Sequence, residues 1–361
     1  MSRPSVRARA HCSGVRRRTP LIACAAALLP LVVACGDDPV GPGEDGPAYD
    51  SLTVDASTGW ALVALGAPAT TVTAADPTTS DAWHIGFFAT AVMLNGGAAG
   101  PGGVEAYCVC QNGDPSDADV MGMTAESELQ EFLDVTAAAV PTAEEDWVSD
   151  ELAPAIAGWY SYDFTTHVVS PAPENVWYVR SASGSAYAKL HVTDIQNAAM
   201  AHPGEVTFEF AVQQSSGAAF DPTETVTLDV SAGPAYLDLE TATEVDASAE
   251  WDVMLDGWDV RVNGGVSGGG QAGAGLSGEA FADITDVSAA PAAAFAGDAF
   301  GGAFVAHEWN RYNLNGAHQI WPTYQVFLVR RGEDVFKVQL IGYYGPTGES
   351  RRITFRYAPV E

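Results

Sequence analysis

The sequence predicts an all-β protein built from two tandem antiparallel β-rich domains, with one short helix in the first. Three observations support this prediction: a two-residue hydrophobic alternation, abundant turn-forming residues and an ordered series of landmarks that occurs twice. The chain has 361 residues, which is more than one hydrophobic core usually serves. Its 37 Gly and 21 Pro favour short strands joined by turns over long helices.

The alternation of apolar and polar residues is clearest in residues 206–213 and 353–357. This period of two is typical of an antiparallel strand with one buried face. The polar positions in between, including Thr207, Glu209 and Gln213, are expected on the opposite face. The apolar positions are Val206, Phe208, Phe210, Val212, Ile353, Phe355 and Tyr357.

The repeated landmarks are Trp, Asn and Val-Arg positions at fixed spacings. An Asn follows a Trp by twelve residues in two places, and a Val-Arg pair follows another Trp by twenty residues in two places. An ordered series of this kind indicates two copies of one unit, over residues 49–217 and 220–361. The landmarks are Trp83 and Asn95, Trp251 and Asn263, Trp159 and Val179-Arg180, and Trp309 and Val329-Arg330.

Two segments depart from the strand pattern. Thr124 can cap a helix over residues 125–139, with Leu129, Phe132 and Leu133 on one face. The Gly-rich run 264–278 has no Gly-Lys-Ser/Thr, which argues against a phosphate-binding loop. We expect a long mobile loop there.

The amino-terminal segment predicts export and lipid anchoring. Residues 1–20 are basic, residues 21–34 are apolar but too short to span a bilayer, and Cys35 follows Val-Val-Ala. Residues 1–34 therefore resemble a lipoprotein signal peptide with acylation of Cys35, and residues 35–48 a disordered tether. The alternative is ordinary signal cleavage nearby, which would leave Cys35 a free thiol. The expected location is the cell envelope, with the outer membrane favoured because Gly36 gives no inner-membrane retention signal.

The charge balance limits the partners. Six of the 16 Lys and Arg residues, and none of the 46 Asp and Glu residues, lie in residues 1–34, so the remaining chain has a net charge of about −36. Such a surface repels nucleic acid and anionic lipid head groups. We therefore expect no nucleic-acid partner, and a membrane contact only through the lipid.

Beyond the anchor, only Cys108 and Cys110 remain among the five Cys. An exported location permits a disulfide between them. Three interpretations stay open: a local disulfide, two free thiols, or a ligand or redox role. Two thiols alone are too few for a structural zinc site.

The landmarks as a set resemble the HmuY family of haem-binding lipoproteins. The resemblance extends over most of the second copy, and the first copy is similar but more divergent. It implies an all-β fold and a role in capturing haem for uptake, with the iron held between two axial side chains, commonly His. The motifs that carry it are TVTLDVSAG, EWDVMLDGWDVRVNGGVSG, WNRYNLNGAHQIWPTYQVFLVRR, VFKVQLIGYYG and RRITFRYAPVE.

The resemblance makes haem or a porphyrin the expected ligand and loop His and Met residues the candidate ligands, since low-spin haem takes His or Met on each face. His307 with His318 is the first candidate pair, and Met121 or Met123 with His167 the next. No metal is expected beyond the haem iron.

Gly-x-Ser-x-Gly and Gly-x-Gly-x-x-Gly spacings fall only within Gly-rich stretches that lack a strand-turn-helix pattern, and no His-Glu-x-x-His occurs, so we expect no enzyme. The alternative to haem capture is a non-catalytic surface module of the same fold with a structural or partner-binding role.

Overall fold

A computed structural model describes residues 49–110 and 113–361. These residues form antiparallel strands with three short helices, which confirms the all-β prediction. The predicted signal peptide, Cys35 and the tether lie outside the described residues. The helices are α1 (Asp117–Val120), α2 (Leu129–Asp134) and α3 (Ala303–Ala306), and single 3₁₀ turns occupy Pro77–Thr79, Gly97–Ala99, Ala137–Ala139, Glu144–Asp146 and Ala292–Ala294.

The strands in chain order are β1 (Asp50–Asp55), β2 (Ala61–Ala64), β3 (Thr70–Val72), β4 (Ile85–Phe88), β5 (Ala91–Leu94), β6 (Val104–Cys108), β7 (Glu151–Ala153), β8 (Tyr160–Asp163), β9 (Val168–Pro171), β10 (Trp177–Arg180), β11 (Tyr187–Gln196), β12 (Glu205–Gln213), β13 (Glu224–Asp229), β14 (Ala235–Asp238), β15 (Thr243–Val245), β16 (Val253–Asp256), β17 (Asp259–Val262), β18 (Gly273–Leu276), β19 (Ala299–Gly301), β20 (Asn310–Tyr312), β21 (Ile320–Pro322), β22 (Val326–Arg331), β23 (Asp334–Tyr344) and β24 (Ser350–Pro359).

The strands build two lobes of the same design. The terminal lobe contains the sheet β1-β24-β23-β22-β6, the smaller sheet β3-β2-β4-β5 and the hairpin β20-β21. The central lobe contains the sheet β13-β12-β11-β10-β18, the smaller sheet β15-β14-β16-β17 and the hairpin β8-β9. Each lobe has its own hydrophobic core, with Phe87, Phe327 and Phe355 in the terminal lobe and Trp177, Phe208 and Phe210 in the central lobe.

Each lobe draws strands from both of the ranges 49–217 and 220–361. Strand β12 runs through a short connection into β13, and the two strands pair as a hairpin in the central sheet. The place beside β12 is thus occupied by β13, and β1 pairs instead with β24, at the other end of the chain. The ranges 49–217 and 220–361 therefore remain a prediction about the repeat in the sequence. Each folded core contains residues of both ranges.

Two buried carboxylates mark the points where the chain passes from one lobe to the other. Strands β7 and β19 pair with each other there. Asp150 accepts a hydrogen bond from the Leu94 amide (2.8 Å), and Asp298 accepts one from the Val262 amide (3.0 Å). Burial raises the pKa of Asp150 to about 7 and also raises the pKa of Asp298.

The helix predicted over residues 125–139 is shorter in the structure. Thr124 and Ser127 do cap a turn, because the Thr124 hydroxyl accepts from the Ser127 amide (3.1 Å) and the Ser127 hydroxyl accepts from the Thr124 amide (2.9 Å). The α-helix nevertheless covers only α2, since Val135 adopts an extended backbone. The structure adds two further four-residue helices, α1 in the first copy and α3 in the second.

The Gly-rich run contains a strand where a mobile loop was predicted. Strand β18 pairs with β10 and closes the central sheet. A Cβ atom on Gly275 would lie 2.4 Å from the Ala294 carbonyl oxygen, and one on Gly273 would lie 2.6 Å from that of Phe295. Glycine is therefore needed here because another stretch of backbone packs directly on the strand.

The alternating strands bury the predicted apolar faces. Two polar positions are buried as well. Gln213 accepts the Val287 amide (2.8 Å) through its side-chain oxygen, and Arg356 donates to the Ala125 carbonyl (2.9 Å). Both side chains tie a loop to the sheet through these hydrogen bonds, although the second terminal nitrogen of Arg356 is buried without a hydrogen-bond partner.

Candidate functional site

The hairpin β8-β9 presents a Tyr-His pair at the tip of the central lobe. The Asp163 carboxylate accepts from the Thr165 amide (2.7 Å), and the Asp163 carbonyl accepts from the His167 amide (2.8 Å), which fixes the turn. His167 takes a positive φ of 58° and its Nδ1 lies 2.6 Å from the Tyr162 hydroxyl oxygen. When Nδ1 donates to that oxygen, Nε2 keeps a lone pair and can act as a ligand.

Two further turns of the central lobe face this hairpin. Met200 lies in the connection between β11 and β12, and Trp258 in the turn between β16 and β17. The Trp258 indole N–H donates to the Met200 carbonyl (3.0 Å). Its ring stacks on Trp159 with 6.1 Å between ring centroids, and packs on Tyr160 at 4.8 Å. Trp258 thus connects the Met200 loop to the core.

These three turns enclose an open cleft of about 560 Å³. Its walls are aromatic and aliphatic, and His167 is the only titratable group besides the two tyrosines among its lining residues. Phe164 is 82% exposed and Met200 fully exposed at its rim. An apolar surface of this kind, on a strongly acidic chain, is typical of a binding site. The lining residues are Tyr160, Tyr162, Phe164, His167, Val169, Ala198, Ala199, Met200 and Trp258.

The terminal lobe repeats the Tyr-His pair in different surroundings. In the hairpin β20-β21, the Tyr312 hydroxyl oxygen lies 2.8 Å from His318 Nδ1, and His318 takes a φ of 56°. The position of Trp258 in the central lobe corresponds to Thr90, in the turn between β4 and β5. The connection from β23 to β24 is shorter than that from β11 to β12, and it contains no Met. The second hairpin therefore lacks both partners of His167.

His307, the other member of the predicted His pair, follows α3 and has its own partner. Its Nδ1 lies 3.0 Å from an Asp114 carboxylate oxygen, beside Cys108 and Cys110. The two Cys form a disulfide. In the structure His307 and His318 therefore bind different residues, and their joint role as haem ligands stays a prediction.

The predicted Met ligands lie away from the cleft lining. Met121 follows α1 and is 46% exposed, and Met123 is partly buried two residues later. Met200 and Trp258, which do line the cleft, were missed by the sequence analysis. Nothing in the sequence distinguishes Met200, which lies among Ala residues, from the other Met residues of the chain.

Comparison with known proteins supports the family resemblance. Residues 57–210 match the model of the HmuY family, described as HmuY protein. Among solved structures, a chain from Bacteroides fragilis described as a "putative lipoprotein" matches with 15% identity and a TM-score of 0.17, over 46% of this chain and 97% of the other. No curated protein matches the chain. The family match covers β2 to β12, whereas most of the motifs that suggested the family lie in residues 220–361.

Proposed function

We propose that the chain is a non-catalytic envelope lipoprotein that captures haem or a related porphyrin in the cleft of the central lobe, a proposal supported by the match of residues 57–210 to the HmuY family model. One observation carries the proposal. His167 and Met200, an imidazole and a thioether on different turns, line the same apolar cleft.

The residues of the cleft fit haem in chemistry and in size. Haem supplies an iron atom that takes one axial donor on each face, and His and Met are both ordinary donors. The aromatic walls suit a flat apolar ring, and about 560 Å³ falls within the range of small-molecule and cofactor sites. The lining residues include no carboxylate that would repel the propionate groups of haem.

Two residues position the proposed ligands. Tyr162 holds the orientation of the His167 ring through the hydrogen bond at Nδ1, and Nε2 is free to bind iron when Nδ1 is the donor. Trp258 holds the Met200 loop through its indole N–H, and packs on the aromatic core. Both ligands therefore lie on turns that the lobe holds in place.

Anchoring belongs to the same proposal. Among the described residues, no helix has the length and apolarity that crossing a membrane requires. Lipidation of Cys35 would hold the domains at the outer membrane through residues 35–48. Mass spectrometry of the amino-terminal peptide, comparing the chain with Cys35→Ser, tests this: a diacylglycerol-modified Cys35 is expected, and an unmodified Cys35 would refute it.

Haemin titration tests the ligand and its site together. The full chain is expected to bind one equivalent, with a Soret shift and a low-spin spectrum. His167→Ala should abolish the low-spin spectrum, and Met200→Leu should convert it to a five-coordinate or water-ligated one. His318→Ala is the matched control, since it removes the same kind of Tyr-bound His from the other hairpin.

Three results would overturn or redirect the proposal. No Soret shift would favour the non-haem module of the same fold. Loss of binding in His307→Ala and His318→Ala, with His167→Ala unaffected, would move the site to the pair predicted from the sequence. Equal effects of His167→Ala and His318→Ala would refute a site confined to the central lobe.

A further inference from the structure

A second cluster of ligating side chains lies in the terminal lobe. Cys108 ends β6, and the Val109 amide continues the pairing by donating to the Val326 carbonyl (2.8 Å). Because side chains two residues apart on an extended strand point to the same side, Cys108 and Cys110 share one face. One sulfur from each Cys and a ring nitrogen of His307 all lie within 4.8 Å of one another.

Two more residues orient this cluster. An Asp114 carboxylate oxygen lies 3.0 Å from His307 Nδ1 and accepts a hydrogen bond from the Gln325 amide nitrogen (2.7 Å). The same Gln325 nitrogen lies 3.5 Å from the Cys110 sulfur, and the Gln325 side chain is buried. A carboxylate that fixes the ring of a ligating His is the usual second layer of a metal site.

We propose that Cys108, Cys110 and His307 bind one Zn²⁺ ion when the disulfide between the two Cys is reduced. Two thiolates and one imidazole are a known zinc ligand set, which leaves one coordination position open. Asp114 and Gln325 act as positioning residues. The site is independent of haem, and the corresponding positions of the central lobe, Leu276 and Gly278, offer no ligand.

The chemistry balances with a dithiol as reductant. The dithiol passes two electrons and two protons to the sulfur pair, so the Cys108–Cys110 bond breaks and the dithiol becomes a disulfide. Each thiol then loses its proton as its sulfur bonds to the ion, and two protons are released for each Zn²⁺ bound. The two thiolate charges neutralise the charge of the ion. Oxidation removes both sulfur ligands, so the site is coupled to the redox state.

Cobalt binding tests the site directly. The full chain is reduced with an immobilised dithiol, separated from it under nitrogen and titrated with Co²⁺. One equivalent should produce thiolate-to-cobalt charge-transfer absorption, and one equivalent of Zn²⁺ should remove that absorption. The oxidised chain should produce none. Asp114→Asn should weaken Co²⁺ binding about 10- to 100-fold, and His307→Ala at least as much.

Matched variants separate ligation from structure. His318→Ala, which removes another exposed His of the same lobe, should leave the titration unchanged. Melting curves of the oxidised variants report folding, and His307→Gln replaces His307→Ala if the latter unfolds. The proposal is overturned if the reduced chain shows no charge-transfer absorption, or if the folded His307 variant binds Co²⁺ as tightly as the unsubstituted chain. Binding to the acidic surface alone gives no thiolate absorption and also counts against it.

Discussion

The central and terminal lobes share a strand order and a Tyr-His hairpin, but they surround that hairpin differently. In the central lobe, Trp258 and Met200 complete an apolar cleft beside His167. In the terminal lobe, the hairpin that carries His318 has Thr90 at the position of Trp258, and the other His of that lobe lies near two Cys. The arrangement of strands is thus the same in both lobes, and the residues on the turns determine what each lobe can bind.

The largest expected effect tests the exchange of strands between the two sequence copies, that is, the pairing of β1 with β24 and of β12 with β13. Thr53 pairs with Thr354, with 2.8 Å between their hydroxyl oxygens, and Thr207 pairs in the same way with Thr227 at 2.9 Å. The double variant Thr53→Cys/Thr354→Cys should form a disulfide almost completely on mild oxidation, because the side chains face each other on paired strands. Non-reducing peptide mapping measures this.

Thr53→Cys/Thr207→Cys is the matched control for the exchange. If each sequence copy folded on itself, these two residues would be the ones that pair. They should stay unlinked in this fold, and efficient linkage between them would show that the lobes are not exchanged.

A second prediction concerns the pH dependence of stability at the crossovers. Because burial raises the pKa of Asp150 to about 7, against about 3.9 in an unfolded chain, the folded state favours the protonated carboxyl. Its contribution to stability is complete below pH 4 and is lost as the pH rises through about 7. The free energy of unfolding should therefore fall over this range, by about 1–4 kcal/mol from this group.

Asp150→Asn should flatten that slope in urea unfolding measured between pH 4 and 8. Asp298→Asn should flatten it less, because the hydrogen bond from the Ala155 amide, together with weaker contributions that include Arg261, partly offsets the effect of burial on the pKa of Asp298. The exposed Asp163→Asn is the control. An unchanged slope in Asp150→Asn would contradict the assignment.

The aromatic wall provides a third comparison. Trp258→Ala removes the stacking on Trp159 and the hydrogen bond to the Met200 carbonyl. It should destabilise the central lobe by about 1–3 kcal/mol and weaken haemin binding. Thr90→Ala should do neither, since the Trp309 indole binds only the backbone carbonyl of Thr90 (2.8 Å). Calorimetry and haemin titration measure both, and equal effects in the two variants would remove the distinction between the lobes.

The smallest effect is expected at the only two Lys of the chain, which occupy matching places. Lys189 donates to the Phe281 and Ile284 carbonyls (2.7 and 3.0 Å), and Lys337 to the Val135 and Leu133 carbonyls (2.8 and 3.4 Å). Replacement of either by Met leaves two loop carbonyls unpaired and should cost about 1–2 kcal/mol. Calorimetry should place the loss in a different lobe for each variant, with exposed Arg351→Met neutral. A loss shared equally by both lobes would argue against separate cores.

Local features of the fold could be predicted from the sequence. The twelve-residue spacing from Trp to Asn exists because the Asn95 side chain donates to the Trp83 carbonyl (2.9 Å) and accepts from the Gly102 amide (2.9 Å). Asn263 makes the same two bonds at Trp251 and Gly270. These contacts join residues close in sequence, so their pattern shows in the chain itself.

The partner of β1 could not be predicted in the same way. Strands β12 and β24 share the apolar alternation and a Thr-Phe pair, Thr207-Phe208 and Thr354-Phe355, so their sequences do not indicate which of them pairs with β1. In the structure β12 pairs with β13, which follows it after the connection 214–223, and β1 pairs with β24. Closing the loop between β12 and β13 costs less chain entropy than joining strands far apart in sequence.

The candidate sites were even harder to predict from the sequence. His167, Met200 and Trp258 come from three turns, and the Cys pair meets a His about 200 positions later in the chain. The distance between these residues along the sequence does not indicate that they lie close together in the fold. The residue after the first Trp of each copy shows the same limit: Asp252 accepts the Leu239 amide (2.8 Å), and His84 accepts the Leu65 amide (3.2 Å), so a carboxylate and an imidazole perform one structural task.

The pairing of β1 with β24 sets the order in which the two lobes can be completed as the chain is synthesised. The central lobe has all of its strands once residue 276 has been added, whereas the rest of the chain is still to come. The terminal lobe has to wait, with its first strand unpaired, until almost the last residue arrives. A chain that stops short of β24 would therefore leave the edge of β1 unpaired and available to strands of neighbouring molecules.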